Sequence, residues 1–343
     1  MTTSAKDLAA LLLSGIGDNA NADAVSQFLD TGYPPLNKII SGRFDGGLPY
    51  GRLVEMFGES STGKTALATK WMVKAQQLGG VAGFIDWERS FNIELAKHFG
   101  LSDERPYWIY KKPKTWEEGN MIAAKTCQII RASKVIDKDA PILFVMDSIA
   151  AAVPKSVIDK ELDELSMNDT TALARVTSTT LKSMAQFAEE YNAIFLYLNQ
   201  MRLKPGVVYG DPRTTPGGKA MEFYSSARLA LGRKKMMDTV DGEKQFVGQE
   251  ISIQCMKSKF TKPFQETDLR MMFDDTGAAN FDMVASLIDH LVKKGLLEYS
   301  KPRVTWEGSK YYVKQLAEKL TAEPGGYDKL VALLPKTEAA ETA

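Results

Sequence analysis

"LVEMFGESSTGKT", residues 53–65, decides the architecture. A continuous apolar run enters a glycine-rich turn, and a lysine and a threonine then open an amphipathic stretch reaching Leu78. Strand, turn and helix in that order aim backbone N–H groups at anionic oxygens, add a point charge from Lys64 and offer the Thr65 hydroxyl to Mg²⁺. Gly58, Glu59, Ser60, Ser61, Thr62, Gly63, Lys64 and Thr65 are therefore candidates for holding the phosphates of a nucleotide. The plain alternative is a glycine-rich turn with an incidental lysine.

Outward from this stretch, "VAGFID", "PILFVMD" and "AIFLYL" read as further buried strands. They alternate with amphipathic helices over 64–78, near 114–131 and near 170–191, which implies a parallel sheet covered on both faces. "RLALG", "QEISIQCM" and "LRMMFD" then read as an antiparallel extension. The expected fold is α/β: a phosphate-loop core of mostly parallel strands flanked by helices, the antiparallel extension, a short N-terminal helix over about residues 5–15 and a small C-terminal domain. Expected boundaries are 1–29 for the helix and its polar linker, 30–276 for the core, 277–335 for the C-terminal domain, with a frayed tail over 336–343.

Composition sets limits. With 44% hydrophobic and 25% charged residues among 343, disorder of the whole chain is excluded. Two cysteines, Cys127 and Cys255, cannot make a disulfide framework in a chain this long, which fits a reducing cytoplasm. No run approaches the roughly 18 apolar residues that span a bilayer, so no membrane partner is expected. Lysine plus arginine equals aspartate plus glutamate, 43 each, so any nucleic-acid surface must be local.

A phosphate loop needs a carboxylate at the end of a neighbouring strand to hold the metal, and Asp147 closes "PILFVMD". A helix-capping aspartate is its alternative. Hydrolysis also needs a group that orients or deprotonates water. "FIDWE" offers Asp86 and Glu88, and strand alternation puts both on one side, so spacing leaves the two equal. The chain has no Asn-Lys-x-Asp element of the kind that reads guanine, which favours ATP.

"NQMRLKPGVVYGDPRTTPGGKA", residues 199–220, follows the last core strand with three prolines, four glycines and several cations. A long stretch without regular structure in a compact domain points to binding. Residues 200–262 hold twelve Lys/Arg against six Asp/Glu, so the neutral total hides a local surplus. Arg202, Lys204, Arg213 and Lys219 can pair with phosphates, while the N–H groups of Gly217 and Gly218 at the start of the next helix are expected to form an anion nest. Val207, Val208 and Tyr209 can wedge or stack against bases.

These segments, with "TGYPPLNKIISG", "FVMDSIAAAVPK" and "KSKFTKPF", resemble the RecA-type recombinases over roughly residues 30–275. The resemblance implies that Lys64 and Thr65 bind phosphates and Mg²⁺, that Asp147 supports the metal, that Glu88 rather than Asp86 positions water, and that Gln200 senses the terminal phosphate. It implies that Lys257 and Lys259 reach a neighbouring subunit's ATP, where a solvated strand face would otherwise be the reading. It implies a first DNA loop in "PKSVIDKELDELSMNDTTALAR", with Met167 and Arg175 as candidates, and a second from Leu198 to Ala220, where Pro205 falls near the family's wedge. The partners implied are single-stranded DNA, homologous double-stranded DNA and further copies of the chain in a helical filament. Single-strand-binding and mediator proteins have room as partners, unidentified by the sequence. Leu95 stands where the family often has an adenine-stacking tyrosine, Asn92 at a usual aspartate, and Glu222 at a common lysine. The N-terminal helix is expected to dock on the adjacent subunit or within its own, and Lys293, Lys294 and Lys301 either meet duplex DNA or form a solvated face. A ring-forming helicase motor and an ATP-gated DNA coat or regulator without strand exchange are the competing readings.

Overall fold

Strands that are apolar on both faces need a helical layer on each side. The computed structural model describes residues 25–161, 167–204, 206, 211–240, 242–274 and 276–336. After helix α1 (Pro34–Ser41), the chain alternates β1 (Leu53–Gly58), α2 (Lys64–Gln77), β2 (Val81–Asp86), α3 (Ile93–His98), β3 (Trp108–Lys111), α4 (Trp116–Ser133), β4 (Ile142–Asp147), α5 (Met167–Glu190) and β5 (Ala193–Gln200). A short helix, α6 (Ala220–Tyr224), leads into β6 (Ala227–Val240), β7 (Glu243–Ser258), β8 (Gln265–Phe273) and β9 (Ala279–Asp282). These strands form one nine-stranded sheet in the order β9-β8-β7-β6-β1-β5-β4-β2-β3. From β6 to β3 it is parallel, and β7, β8 and β9 extend it antiparallel.

Two cores follow from strand alternation. On one face α2 packs Leu67, Ala68 and Trp71 against Val54, Met56, Val145 and Leu196. On the other, α4, α5 and α6 pack Trp116, Cys127, Leu181 and Met221 against Leu53, Phe144 and Phe195. Both cysteines are free and buried, and burial pushes each thiol up to about 12. The parallel arrangement brings the ends of β1, β5, β4 and β2 to one edge of the sheet, where ligands of open α/β sheets bind.

The C-terminal part contains α7 (Met283–Lys293), a three-stranded sheet of β10 (Tyr299–Ser300), β11 (Arg303–Trp306) and β12 (Ser309–Tyr312), then α8 (Val313–Ala322) and α9 (Gly326–Val331). Its buried Leu287, Ile288, Leu316 and Leu330 join the core under α2. The Tyr33 hydroxyl donates to the Ser286 carbonyl at 3.0 Å, and that of Tyr327 to the Gly32 carbonyl at 3.1 Å. The expected boundary at 276/277 falls between β8 and β9, and β9 still pairs with the large sheet.

Three elements differ from expectation. "KYYV" begins as strand β12, because the turn at Glu307 (φ 47°) and Gly308 (φ 77°) folds β11 and β12 into a hairpin. β3 is only four residues long, too short for a periodic signal. "RLALG" and "QEISIQCM" are the inner ends of a long hairpin of 14- and 16-residue strands, whose outer parts mix charged residues with Met236, Met237, Phe246 and Val247 in no regular alternation. The expected N-terminal helix, its linker and the tail from residue 337 lie outside the described residues. Among the described residues no helix is long and apolar enough to cross a membrane.

His290 on α7 makes stability pH-dependent. Burial lowers its pKa to about 4, helped by Lys294 and Lys293 and opposed by Asp268, while Asp289 lines the same cavity. Between about 6.5 and 4 the unfolded chain binds a proton that the folded chain refuses, so stability falls as pH drops through that window. Discounted for partial exposure, the expected loss is about 1–2 kcal/mol. Urea midpoints at pH 7 and pH 5 should differ more for wild type than for His290→Gln; equal differences would remove His290 as the cause.

Candidate functional site

The phosphate loop runs from the end of β1 to the start of α2. Gly63 sits at the helix N-cap with φ 82°, and a Cβ there would meet the Ile251 side chain at 2.7 Å, so conformation and packing both call for glycine. Ser61 is also left-handed, at φ 60°, and its carbonyl accepts from Gln249 Nε2 at 3.2 Å, with Arg233 Nη1 at 3.5 Å. Gln249 is buried and had no signal in the sequence. Lys64 Nζ donates to the carbonyls of Gly58 at 3.1 Å and Glu59 at 2.7 Å, folding over the cradle that an anion would fill. Burial lowers its pKa, while Asp147 and Glu88 oppose that shift.

Asp147, at the end of β4, accepts from the Thr65 hydroxyl at 3.3 Å. Burial first, then the carboxylates of Glu88 and Asp86, push its pKa up to about 7. A buried, charge-crowded carboxylate beside a hydroxyl is a hard-oxygen donor pair that suits Mg²⁺.

Asp86 and Glu88 separate by environment. Asp86 is fully buried, and its oxygens accept from the N–H of Arg89 at 2.6 Å, of Ser90 at 3.4 Å and of Phe91 at 3.2 Å, and from the Tyr110 hydroxyl at 2.8 Å. Its lone pairs are used in closing the turn after β2. Glu88 is exposed on the same edge of the sheet as the phosphate loop, and its Oε1 accepts from the Ser148 hydroxyl and from Gln200 Nε2, the latter at 3.4 Å. Trp87 fixes the backbone between them: its N–H reaches the Asp147 carbonyl at 2.7 Å and its indole N–H the Thr115 carbonyl at 2.9 Å.

The RecA N-terminal domain family matches residues 14–278. The chain belongs to the RecA family. It is 32% identical over 265 residues to Protein RecA of Heliobacterium modesticaldum, covering 77% of this chain and 70% of that one. Against Protein RecA of Streptococcus pneumoniae strain Hungary19A-6 it is 33% identical over 276 residues, covering 80% and 68%.

In this RecA-family chain the long loop leaves β5 beside the phosphate loop. Its arms pair as a minimal hairpin, Arg202 with Thr214 and Leu203 with Arg213, closed by Lys204 N–H on the Pro212 carbonyl at 2.9 Å. Arg202 Nη2 meets Gln200 Oε1 at 3.3 Å. Arg213 is committed elsewhere: it pairs with Asp211 at 2.9 Å and reaches Gln254 Oε1 at 2.9 Å on β7, so it anchors the hairpin. Lys204 and Lys219 are exposed. Gly217 (φ 88°) and Gly218 (φ 73°) are both left-handed. A Cβ on Gly217 would meet the Ile149 side chain at 3.0 Å, and one on Gly218 the Ala174 side chain at 3.1 Å.

Lys257 Nζ donates to the carbonyls of Glu222 at 2.6 Å and Phe223 at 3.0 Å, at the C-terminal end of α6. Burial, then Lys259 and Arg228, lower its pKa. Lys259 lies two residues on, beyond the end of β7, and its N–H bonds the Ser226 carbonyl. Glu222 approaches Arg228 at 3.6 Å. Asn92 caps α3 by accepting from the N–H of Glu94 and Leu95, and Leu95 is exposed. Arg175, on α5, meets the Thr171 hydroxyl at 3.3 Å. Met167 is the first residue of α5, and its side chain, like Pro205, Val207, Val208 and Tyr209, lies outside the described residues.

Proposed function

We propose that this RecA-family protein is an ATP-dependent recombinase that assembles as a filament on single-stranded DNA in the cytoplasm, pairs it with homologous duplex and exchanges strands. The observation that carries the reading is the contact of Gln200 with Glu88. The first residue of the loop touches the side chain best placed to orient the attacking water, so events at the phosphates bear on the loop's root.

In this reading Lys64 swings from its carbonyls to the β- and γ-phosphates, and the turn's N–H groups hold the remaining oxygens. Thr65 and Asp147 would hold Mg²⁺, which supplies charge neutralisation across the phosphates. Glu88, oriented by the Ser148 hydroxyl, positions water in line with the γ-phosphate and takes its proton. Lys257 and Lys259 face the adjacent subunit's nucleotide and meet the charge that develops during transfer. ATP favours the DNA-gripping arrangement only as far as it binds that arrangement better, and hydrolysis releases the strand. Arg202, Lys204 and Lys219 contact phosphates without reading bases, as strand exchange requires, because base pairing supplies sequence recognition.

A DNA-stimulated ATPase assay run beside a D-loop assay tests the proposal. Both positive supports the recombinase; turnover without D-loops leaves an ATP-gated coat. Arg202→Ala is expected to weaken binding to an oligonucleotide by about fivefold and to lower the log–log salt slope by about 0.7, one phosphate contact on a single strand. Wild-type affinity and slope in that variant would remove Arg202 from the DNA surface.

A further inference from the structure

β1 carries one charged side chain in an otherwise apolar run, Glu55, and it is fully buried. Sheet register sets Arg228 of β6 directly beside it, with Nε donating to Oε2 at 2.6 Å. From β5 on the other side, buried Asn199 donates Nδ2 to Glu55 Oε1 at 2.9 Å. The same amide group reaches the Pro216 carbonyl at 3.0 Å, while Asn199 Oδ1 accepts the Gln200 N–H at 3.0 Å. Arg228 extends to the Thr215 hydroxyl at 3.5 Å. One asparagine therefore bonds the residue where the loop leaves the sheet and the residue where it returns. The carboxylate beneath it stands three positions before Gly58 on the strand that feeds the phosphate loop.

Folding alone gives little reason for this arrangement. Taking an ion pair out of water costs several kcal/mol per ion, and well-packed apolar side chains of similar volume often serve stability as well or better. A fully bonded polar network does, however, fix a single geometry where an apolar contact would allow sliding. Resting on the recombinase reading above, we propose that Glu55, Asn199 and Arg228 are positioning residues: they hold both arms of the loop at a set spacing from the phosphate loop, so that a nucleotide-driven shift of Gln200 is passed to the Thr215–Pro216 arm. Asn199 is the pivot, because its one side chain bonds the carboxylate, the returning arm at Pro216 and the outgoing Gln200 N–H.

The test uses the full chain and a fluorescent oligothymidylate, with dissociation constants measured with and without ATP and Mg²⁺. The readout is their ratio, the coupling of nucleotide to DNA. Asn199→Asp sets two carboxylates together and cannot donate to Pro216, so a lower melting temperature and a coupling ratio reduced about tenfold are expected. The double variant Glu55→Gln, Asn199→Asp removes the repulsion between the two carboxylates but still offers no donor at 199 to Pro216. It is expected to regain melting temperature while its ratio stays low. Recovery of both together would make the network merely structural and overturn the proposal, as would wild-type coupling in folded Asn199→Asp. Should the single variant fail to fold, the folded double variant decides by its ratio. A wild-type protein whose DNA binding ignores nucleotide would overturn the recombinase reading first and this inference with it.

Discussion

Lys64→Ala is expected to lower ATP turnover by at least about 100-fold, the scale on which removal of a preorganised donor to developing charge is felt. Among the loop's own residues Lys64 is the sole cation, and its Nζ already lies over the cradle, bonded to the carbonyls of Gly58 and Glu59. The Gly58 carbonyl also accepts the Met201 N–H and the Glu59 carbonyl the Thr62 hydroxyl, so neither loses its last donor and the variant should unfold within a few degrees of wild type. Arginine should not rescue it, because a planar fork does not substitute for a compact ammonium against phosphate oxygens approached from below. Turnover by phosphate release and binding by nucleotide fluorescence are the measurements. Activity within tenfold of wild type would take the phosphates away from this loop.

Glu88→Gln should cut turnover by about 10²–10³-fold while leaving nucleotide binding nearly unchanged, as expected for loss of a general base. The amide oxygen can still accept from Ser148, so the side chain keeps its place. Asp86→Asn is the contrasting change. It weakens a charged acceptor that serves three N–H groups and the Tyr110 hydroxyl, and hydrogen bonds to charged groups contribute about 1.5–3 kcal/mol each. A clear drop in melting temperature is expected there, with turnover per folded molecule falling far less. If Asp86→Asn abolished turnover at wild-type stability while Glu88→Gln stayed active, the two roles would be exchanged.

Much of this was written in the chain locally. Strand β1, the glycine-rich turn and α2 are contiguous, so hydrophobic runs and turn chemistry found them together. Asp147 showed itself as a carboxylate ending an apolar run. What stayed hidden depends on partners far away in sequence. Glu55 reads as a blemish in "LVEMF" until β6 sets Arg228 beside it, 173 positions later. Asp86 and Glu88 are equivalent by alternation, and only the turn that folds back over Asp86 distinguishes them. Arg213 counts as a loop cation in composition, yet Asp211 and β7 claim it. Gly217 and Gly218 announced a special backbone, and the structure shows both in the left-handed region, where a Cβ would also crowd Ile149 and Ala174.

Cys127 and Cys255 lie wholly inside the two cores with their thiols held protonated. For anyone wishing to watch the loop move, this leaves a background that is inert to maleimide dyes. One cysteine introduced at solvent-facing Leu203 would take a single fluorophore without prior removal of native sulfur, and its emission would report directly on how the hairpin responds to nucleotide.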